Sequence, residues 1–437
     1  MWKYWKLSFC LLFLSTCPIA AQETLTPEAA VEEALRNNHD IIIARVDKET
    51  VKQNVYIGNA GMLPTIDVTA TEQHAIEDTR LQFIDGDVVD RDNAASRTRS
   101  VGALLNWTLF DGMSMFWQYD RLKELDVLEE YRMKETIENT VQQVLNAYNN
   151  LVLQQQLLNA YSEAADIALQ KLRLSEDRLE AGVAPRAEVL QARVDYNLQR
   201  SNMLRQKTEM RSGKIELNRL MGVEDAEYGI EHDYRFEDRL TLENLVDEMT
   251  GRNKSLLQAA VNRNLATIDK KISNSLFFPT IGLYAGYSLT TADSEANIIT
   301  FRQAGGWNYG ITAAWRIFDG FNQSRQNQIA RIRETQSQNL FNMTRHNLNS
   351  EVTNGYTVYE NNLLILELEE ENILIAQENL ELAMERFEAG AISAFELREA
   401  ELSYNEVNNR LASARFEVKT AELELKRLSG RILEDKE

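Results

Sequence analysis

Cysteine is almost missing from this 437-residue chain: Cys10 and Cys17 are the only two. Both precede residue 22, so the remainder can form no disulfide and offers no thiolate to a metal. Histidine is scarce too. His39, His74, His232 and His346 are scattered with none at a metal-ligand spacing, and no Gly-rich phosphate loop is present. No catalytic constellation emerges, so neither an enzyme nor a cofactor or bound metal is expected. Positive charge is in deficit, with 47 Lys and Arg against 67 Asp and Glu and a net charge of −20, which argues against a nucleic-acid partner. Beyond the start, no segment approaches the roughly 18 to 20 apolar residues of a spanning helix. A membrane role, if there is one, must use β-strands.

The start is different in kind. Lys3 and Lys6, an apolar run over residues 7–14 and the small Ala20 and Ala21 before Gln22 read as a secretory signal peptide, 1–21. Leu14-Ser15-Thr16-Cys17 loosely resembles a lipoprotein cleavage box, with Thr16 where Gly or Ala is usual, so lipidation of Cys17 stays an alternative.

What is present is a repeat. Arg178-Leu179-Glu180-Ala181-Gly182-Val183-Ala184-Pro185 recurs 208 residues later as Arg386-Phe387-Glu388-Ala389-Gly390-Ala391-Ile392-Ser393. Trp107-Thr108-Leu109-Phe110-Asp111-Gly112 recurs as Trp315-Arg316-Ile317-Phe318-Asp319-Gly320, and Leu220-Met221-Gly222 as Leu428-Ser429-Gly430, at the same displacement. Upstream, Leu63-Pro64-Thr65 returns as Phe278-Pro279-Thr280 and Leu25-Thr26 as Leu240-Thr241, now 215 apart, which places a seven-residue length change between the proline and the tryptophan. The chain reads as two structural repeats, 22–222 and 240–430, joined by an acidic linker, 223–239, and followed by a short tail, 431–437.

Each repeat carries the same succession of patterns. A helix is expected over 26–61, with Thr26 as N-cap and Pro27 in the first turn, and again over 241–277, with Asn253 where the first has Asn38. After the proline the period becomes two, predicting strands at about 64–75, 98–110, 279–290 and 306–318, with polar loops at 76–97 and 291–304. Trp107, Tyr309 and Trp315 lie on the apolar face of these strands. Two readings fit: a half-buried hairpin packed on helices, or tilted membrane strands of about ten residues with an aromatic girdle. Four strands cannot close a barrel around a pore, so the membrane reading requires several chains.

From Gly112 to about Ala181 a helical pattern continues for roughly 70 residues, about 100 Å at ~1.5 Å per residue. Leu397, Ala400, Tyr404, Val407, Leu411, Ala414, Val418, Ala421, Leu425 and Leu428 keep the alternating three-four spacing of a coiled coil. The glycines at 182 and 390 suit left-handed helix ends, and Pro185 suits a first turn, so residues 181–186 and 389–394 are tips of helical hairpins.

The duplication, the Phe-Asp-Gly after each second strand and the two Arg-x-Glu-Ala-Gly tips resemble the TolC family of outer-membrane efflux proteins over about residues 25–430. The resemblance implies a mainly α fold with a small transmembrane β-barrel: long coiled-coil hairpins in a duplicated helix-strand-strand-helix-helix unit, and four strands per chain completing the twelve-stranded barrel of a homotrimer. It implies a cell outer membrane of a Gram-negative bacterium, contact with its lipid, and a helical tunnel in the periplasm. The duct would be the passive exit of a tripartite efflux or type I secretion system, fed by an inner-membrane transporter through a periplasmic adaptor. Carried onto this chain, the adaptor-facing tips are Gly182, Val183, Ala184 and Pro185 with Gly390, Ala391, Ile392 and Ser393. Glu396 and Glu399, three apart and so on one helix face, match the acidic ring of the periplasmic gate, beside Arg386 and Phe387. Phe387 and Ile392 stand where well-known members place a latch tyrosine and arginine, with Arg386 and Arg398 as candidate substitutes. A non-conducting periplasmic coiled-coil scaffold is the alternative. It accounts for the helices and the charge and leaves the strands unexplained.

Overall fold

The structure is a computed structural model that describes residues 24–84, 86–231, 234–236, 240–295 and 299–433. The expected signal peptide with Cys17 lies outside them, as do parts of the linker and the end of the tail. The elements run in the order β1 (Thr24–Leu25), α1 (Pro27–Asn37), α2 (His39–Asn54), β2 (Thr65–Gln82), β3 (Val88–Asp111), α3 (Ser114–Glu180), α4 (Arg186–Met221), β4 (Gly229–Ile230), α5 (Leu242–Arg252), α6 (Lys254–Ser275), β5 (Thr280–Ser294), β6 (Phe301–Ala314), α7 (Asn322–Glu388) and α8 (Ala394–Ser429). The fold is mostly helical. α3 and α7 have 67 residues each, and α4 and α8 have 36 each.

The chain forms two compact units. The first comprises the described residues of Met1–His39, Thr140–Arg239 and Gly355–Glu424; the second comprises those of Asp40–Asn139, Leu240–Asn354 and Leu425–Glu437. In the first unit, β1 pairs with β4 in parallel, and Tyr148 joins both by donating to the Leu25 carbonyl at 2.9 Å and accepting from the Glu231 amide at 3.2 Å. Burial pushes the Tyr148 hydroxyl up to about 12, so it stays a neutral donor. Apolar packing of Ala376, Leu380, Ala383 and Phe387 on Leu397, Ala400, Tyr404 and Val407 binds α7 to α8. The α8 residues among them, Leu397, Ala400, Tyr404 and Val407, belong to the three-four pattern.

The second unit holds an antiparallel sheet in the order β2-β3-β5-β6. Leu128 of α3 packs there against Val261 and Leu265 of α6.

Three groups of boundaries differ from the sequence expectation, the first in the helices, where α2 also ends at Asn54 rather than at 61. The helix expected over 26–61 is broken at Asn38, and the one over 241–277 at Asn253; both asparagines are extended, with ψ of 126° and 122°. Each is tied to a distant turn: Asn38 Nδ2 donates to the Leu220 carbonyl at 2.8 Å, and Asn253 Nδ2 to the Leu428 carbonyl at 3.0 Å. The adjoining Gly222 and Gly430 have φ of +71° and +77°, and a Cβ there would lie 2.5 Å from the Asn37 carbonyl oxygen and 2.8 Å from that of Arg252. The repeated Leu-x-Gly is thus a backbone-to-backbone seat for a helix break, which side-chain periodicity alone does not reveal.

The second difference is in the strands. Segments expected as loops are ladder: β2 and β3 stay paired out to Gln82 opposite Val88, with a bulge between Glu77 and Thr79, and β5 and β6 out to Asp293 opposite Phe301. Polar residues bridge the first of these extensions, where Arg80 reaches Asp90 across the β2–β3 pair at 3.5 Å. The third lies at the other end, where β6 stops at Ala314 and leaves Trp315, Ile317 and Phe318 beyond the strand.

Asn253 is buried and also caps α6, accepting from the Leu256 amide at 3.0 Å. Asn253→Ala therefore orphans the Leu428 carbonyl and the Leu256 amide. It is expected to cost about 1–3 kcal/mol, read as a lower thermal midpoint of the detergent-solubilised protein, whereas exposed Asn342→Ala leaves the midpoint unchanged.

Candidate functional site

Two regions are candidates for function: one face of the sheet and the two hairpin tips. Across the four strands the registered residues form apolar rows. Ala70, Val101 and Leu289 make one, Val68, Ala103, Tyr287 and Trp307 the next, Ile66, Leu105, Ala285 and Tyr309 a third, and Trp107, Leu283 and Ile311 a fourth. Val68 is 74% exposed, Trp307 76% and Tyr309 80%, so this face is uncovered in a single chain. From Val101 to Trp107 the four rows run about 20 Å along the strand at ~3.3 Å per residue, the order of the ~25 Å apolar belt of an outer-membrane barrel. The next rows on the same face are Glu72 with Arg99 and His74 with Arg97, so charge ends the band abruptly. The opposite face carries Thr65, Asp67, Thr69 and Thr71 opposite Asn106, Leu104, Gly102 and Ser100.

At the foot of the band each tryptophan has a second task. Trp107 Nε1 donates to the Met62 carbonyl at 2.9 Å, and Trp315 Nε1 to the Phe277 carbonyl at 3.1 Å. Each carbonyl lies two residues before the repeat's proline, so the indole fixes the entry of the first strand to the exit of the second. The Phe-Asp-Gly that follows turns strand into helix. The Asp111 carboxylate accepts from the Met115 amide at 2.9 Å and that of Asp319 from the Gln323 amide at 3.0 Å, while Gly112 and Gly320 adopt φ of +71° and +69°.

The tips close as the glycines predict. Gly182 and Gly390 both have φ +73°, and the following amides, of Val183 and Ala391, return to the Arg178 and Arg386 carbonyls at 3.0 and 2.8 Å. A Cβ at either glycine would meet nothing within 4 Å. Of the eight expected contact residues, Gly182, Val183, Pro185, Gly390, Ala391 and Ser393 are exposed. Ala184 is buried, and Ile392 packs against the α7–α8 core.

The tips differ in how the next helix begins. Pro185 starts α4 with no side-chain cap, whereas Ser393 and Glu396 form a reciprocal capping box on α8: the Ser393 amide and hydroxyl each donate to Glu396 Oε2 at 2.8 Å, and the Glu396 amide donates to Ser393 Oγ at 3.3 Å. Those bonds hold the Glu396 carboxyl below the usual range.

The four expected gate residues are not equivalent. Glu396, Glu399 and Arg386 are exposed; Phe387 is 2% exposed, inside the α7–α8 core, and so has no surface to offer a pore. The Arg178 guanidinium sits 4.9 Å from the Phe387 ring centroid and donates to the Phe387 carbonyl at 3.4 Å, tying the first tip to the second. Sequence reasoning considered Arg386 and Arg398 for such a role and missed Arg178, which looked only like part of the repeated motif. Among the described residues no group of His, Asp or Glu converges to hold a metal, and no helix is long and apolar enough to cross a membrane.

An uncovered apolar sheet face and very long helical hairpins mark a channel-type protein of the outer membrane. The family described as Outer membrane efflux protein matches residues 30–223 and 245–431, and the chain belongs to it. The same fold is found in CusC, whose structures concern folding and transmembrane channel formation, at 18% identity and a TM-score of 0.76, covering 92% of each chain. The CmeC outer membrane channel of Campylobacter jejuni is 15% identical with a TM-score of 0.75, over 94% of this chain and 87% of that one. The outer membrane protein VceC of Vibrio cholerae is 16% identical with a TM-score of 0.74, over 92% and 96%. No curated protein matches the chain.

Because the capping box is specific to Glu396, Glu396→Ala is expected to speed amide hydrogen exchange over residues 394–398, while Glu399→Ala leaves it unchanged. The folded carboxyl titrates below its unfolded value, so its contribution is present above about pH 4.3 and fades as pH falls through the lowered value. Exchange in the first turn of α8 should therefore quicken only on acidification, after correction for the intrinsic rate.

Proposed function

We propose that three copies of this chain close a twelve-stranded barrel in the outer membrane, which serves as the passive exit duct of a tripartite efflux or type I secretion system. The observation that carries this is the four-row apolar face on a sheet whose outer strands, β2 and β6, each have one unpaired edge. Such edges cannot face lipid, and further copies of the same sheet satisfy them. A periplasmic scaffold would leave this face in water, where a patch of that size drives aggregation.

In this reading α3, α4, α7 and α8 continue the duct into the periplasm, and the tips meet an adaptor that carries cargo from an inner-membrane transporter. The exposed tip residues, Gly182, Val183 and Pro185 with Gly390, Ala391 and Ser393, supply the contact surface. Ala184 and Ile392 support it from inside. Glu396 and Glu399 project from the first turns of α8 and, three-fold repeated, form the acidic constriction, with Arg386 at its rim and Phe387 as the packing beneath. Carboxylates gathered about one axis favour cations and bind polyvalent ones.

Bilayer recording of the purified oligomer tests this, with an ohmic current expected and blocked from the periplasmic side by a trivalent cation. Replacing Glu396 and Glu399 together by Ala should weaken that block by about tenfold or more, since each bound trivalent ion loses its ring of carboxylates. Unchanged block moves the constriction elsewhere. Gly182→Trp with Gly390→Trp fills open space, at a left-handed strain of about 1–2 kcal/mol each. It should abolish export while trimers persist in the membrane, as immunoblots and export assays on the same cells would read.

A further inference from the structure

In the second unit α6 is gripped from two sides. α3 holds it through Arg121, whose Nε donates to Asp269 Oδ1 at 2.8 Å, and through Leu128 packed on Val261 and Leu265. α7 holds it through Glu334, which pairs with Lys270 at 2.7 Å, and through the Phe341 ring, whose centroid lies 4.8 Å from the Arg263 guanidinium. Between α3 and α7, with α6 as its floor, is a hollow of about 940 Å³. Small-molecule sites occupy ~300–1,000 Å³, so it is large enough for one.

The lining has two characters. Leu125, Leu128, Leu265, Ile272 and Ile329 make an apolar bed. The charged groups around it are Arg121, Arg132 and Arg333 against Asp269 alone, a positive surface in a chain whose net charge is −20. Arg132 reaches Glu129, outside the hollow, at 3.2 Å. Arg333 is exposed and makes no hydrogen bond or ion pair among the described residues.

The helix directions place two of these cations at one level. α6 runs antiparallel to α3, since Trp117 meets Lys271, Arg121 meets Asp269 and Leu128 meets Leu265. It runs antiparallel to α7 as well, since Asn274 meets Asn327 and Lys270 meets Glu334. Arg333, beside Glu334, therefore stands across the groove from Arg121, with Asp269 between them. Two guanidiniums and one carboxylate leave that level one positive charge in excess. Arg132, eleven residues along α3, is about 16 Å further on at ~1.5 Å per residue.

Packing of the helices does not require these cations. Displaced by 208 residues, Arg121 corresponds to Ile329, Arg132 to Leu340 and Arg333 to Leu125, so each position takes an apolar residue in the other repeat. The charge has another use.

We propose that this hollow is a binding site for amphipathic organic monoanions, with the carboxylate or sulfonate head between Arg333 and Arg121 and the hydrocarbon body on the apolar bed. This rests on the channel reading above and names a class of cargo for it, because the concave side of a helical wall faces the passage when copies close it into a tunnel. Charge complementarity selects the head: a guanidinium donates two parallel bonds to the oxygens of such a group, and one negative charge neutralises the level. An ion pair in open water is weak on its own, so the body supplies much of the affinity. A hydrophobic cation meets three guanidiniums and is disfavoured.

The test is calorimetric titration of the full-length oligomer in lipid nanodiscs with naphthalenesulfonate, with empty nanodiscs as the blank. Saturable binding, one molecule per chain, is expected. Arg333→Gln removes the unpaired guanidinium and should raise Kd about tenfold, as loss of a charge-assisted bond implies. Arg333→Glu should abolish binding, while Arg331→Gln, outside the hollow, should leave it unchanged. Methanesulfonate, a head without a body, and naphthalenemethanol, a body without a charge, should each bind at least tenfold more weakly. Heat no greater than that of the empty nanodiscs overturns the site, as does wild-type affinity in both Arg333 variants or equal affinity for the uncharged analogue. Should the Arg333 variants not assemble, the two analogues decide on the wild-type protein. Bilayer recording of the same preparation separates the two readings: binding without current supports the site and defeats the channel reading, whereas current without binding overturns the site alone.

Discussion

Everything in this molecule depends on an incomplete sheet. Four antiparallel strands present an apolar face on one side and Thr, Asp and Asn on most of the other, and the outer edges of β2 and β6 are unpaired. Backbone polar groups cost several kcal/mol each in hydrocarbon unless they are bonded, so the sheet is unfinished as a single chain. In the proposed assembly, further copies supply the missing strand partners. The band's limits follow from the same logic: Glu72, Arg97 and Arg99 satisfy one another where the apolar rows end, and the tryptophans donate to carbonyls at the opposite border.

The strand-to-helix junctions transmit that arrangement into the helices. Asp111 and Asp319 accept from amides in the first turns of α3 and α7, and the glycines beside them take the left-handed turn that feeds β3 directly, and the segment after β6, into the next helix. At the far ends, two more left-handed glycines reverse each helix. The two tips then diverge. One is uncapped; the other carries a capping box whose glutamate is also a gate candidate, and it is tied to the first tip through Arg178 and Phe387. A carboxylate committed to its own helix terminus is held in place, which suits a fixed ring of charge better than a free surface side chain would.

Much of this was legible in the sequence. The repeat displacement, the helix lengths, the tip glycines and the mostly helical class all rest on strong local signals: period, left-handed glycine and coiled-coil spacing. The strand ends were not, because residues such as Arg80 and Asp90 look like loop composition when they pair across strands. The helix breaks at Asn38 and Asn253 were hidden because they are stabilised by carbonyls 182 and 175 residues away. Phe387 was read from its place in a family motif, and its burial depends on packing that no local pattern states. Arg121, Asp269 and Arg333 are far apart in the sequence, and only the fold brings them round one hollow.

The central claim is that β2 of one copy pairs with β6 of the next, three times around. The most direct measurement uses the scarcity of cysteine. With none native beyond residue 21, pairs of cysteines introduced one on β2 and one on β6 can be scanned by oxidation in intact outer membranes. The account predicts that pairs in one register link chains into dimers and trimers and nothing larger, and that pairs one residue out of register do not link. Monomers throughout the scan, or ladders extending beyond three, would contradict it.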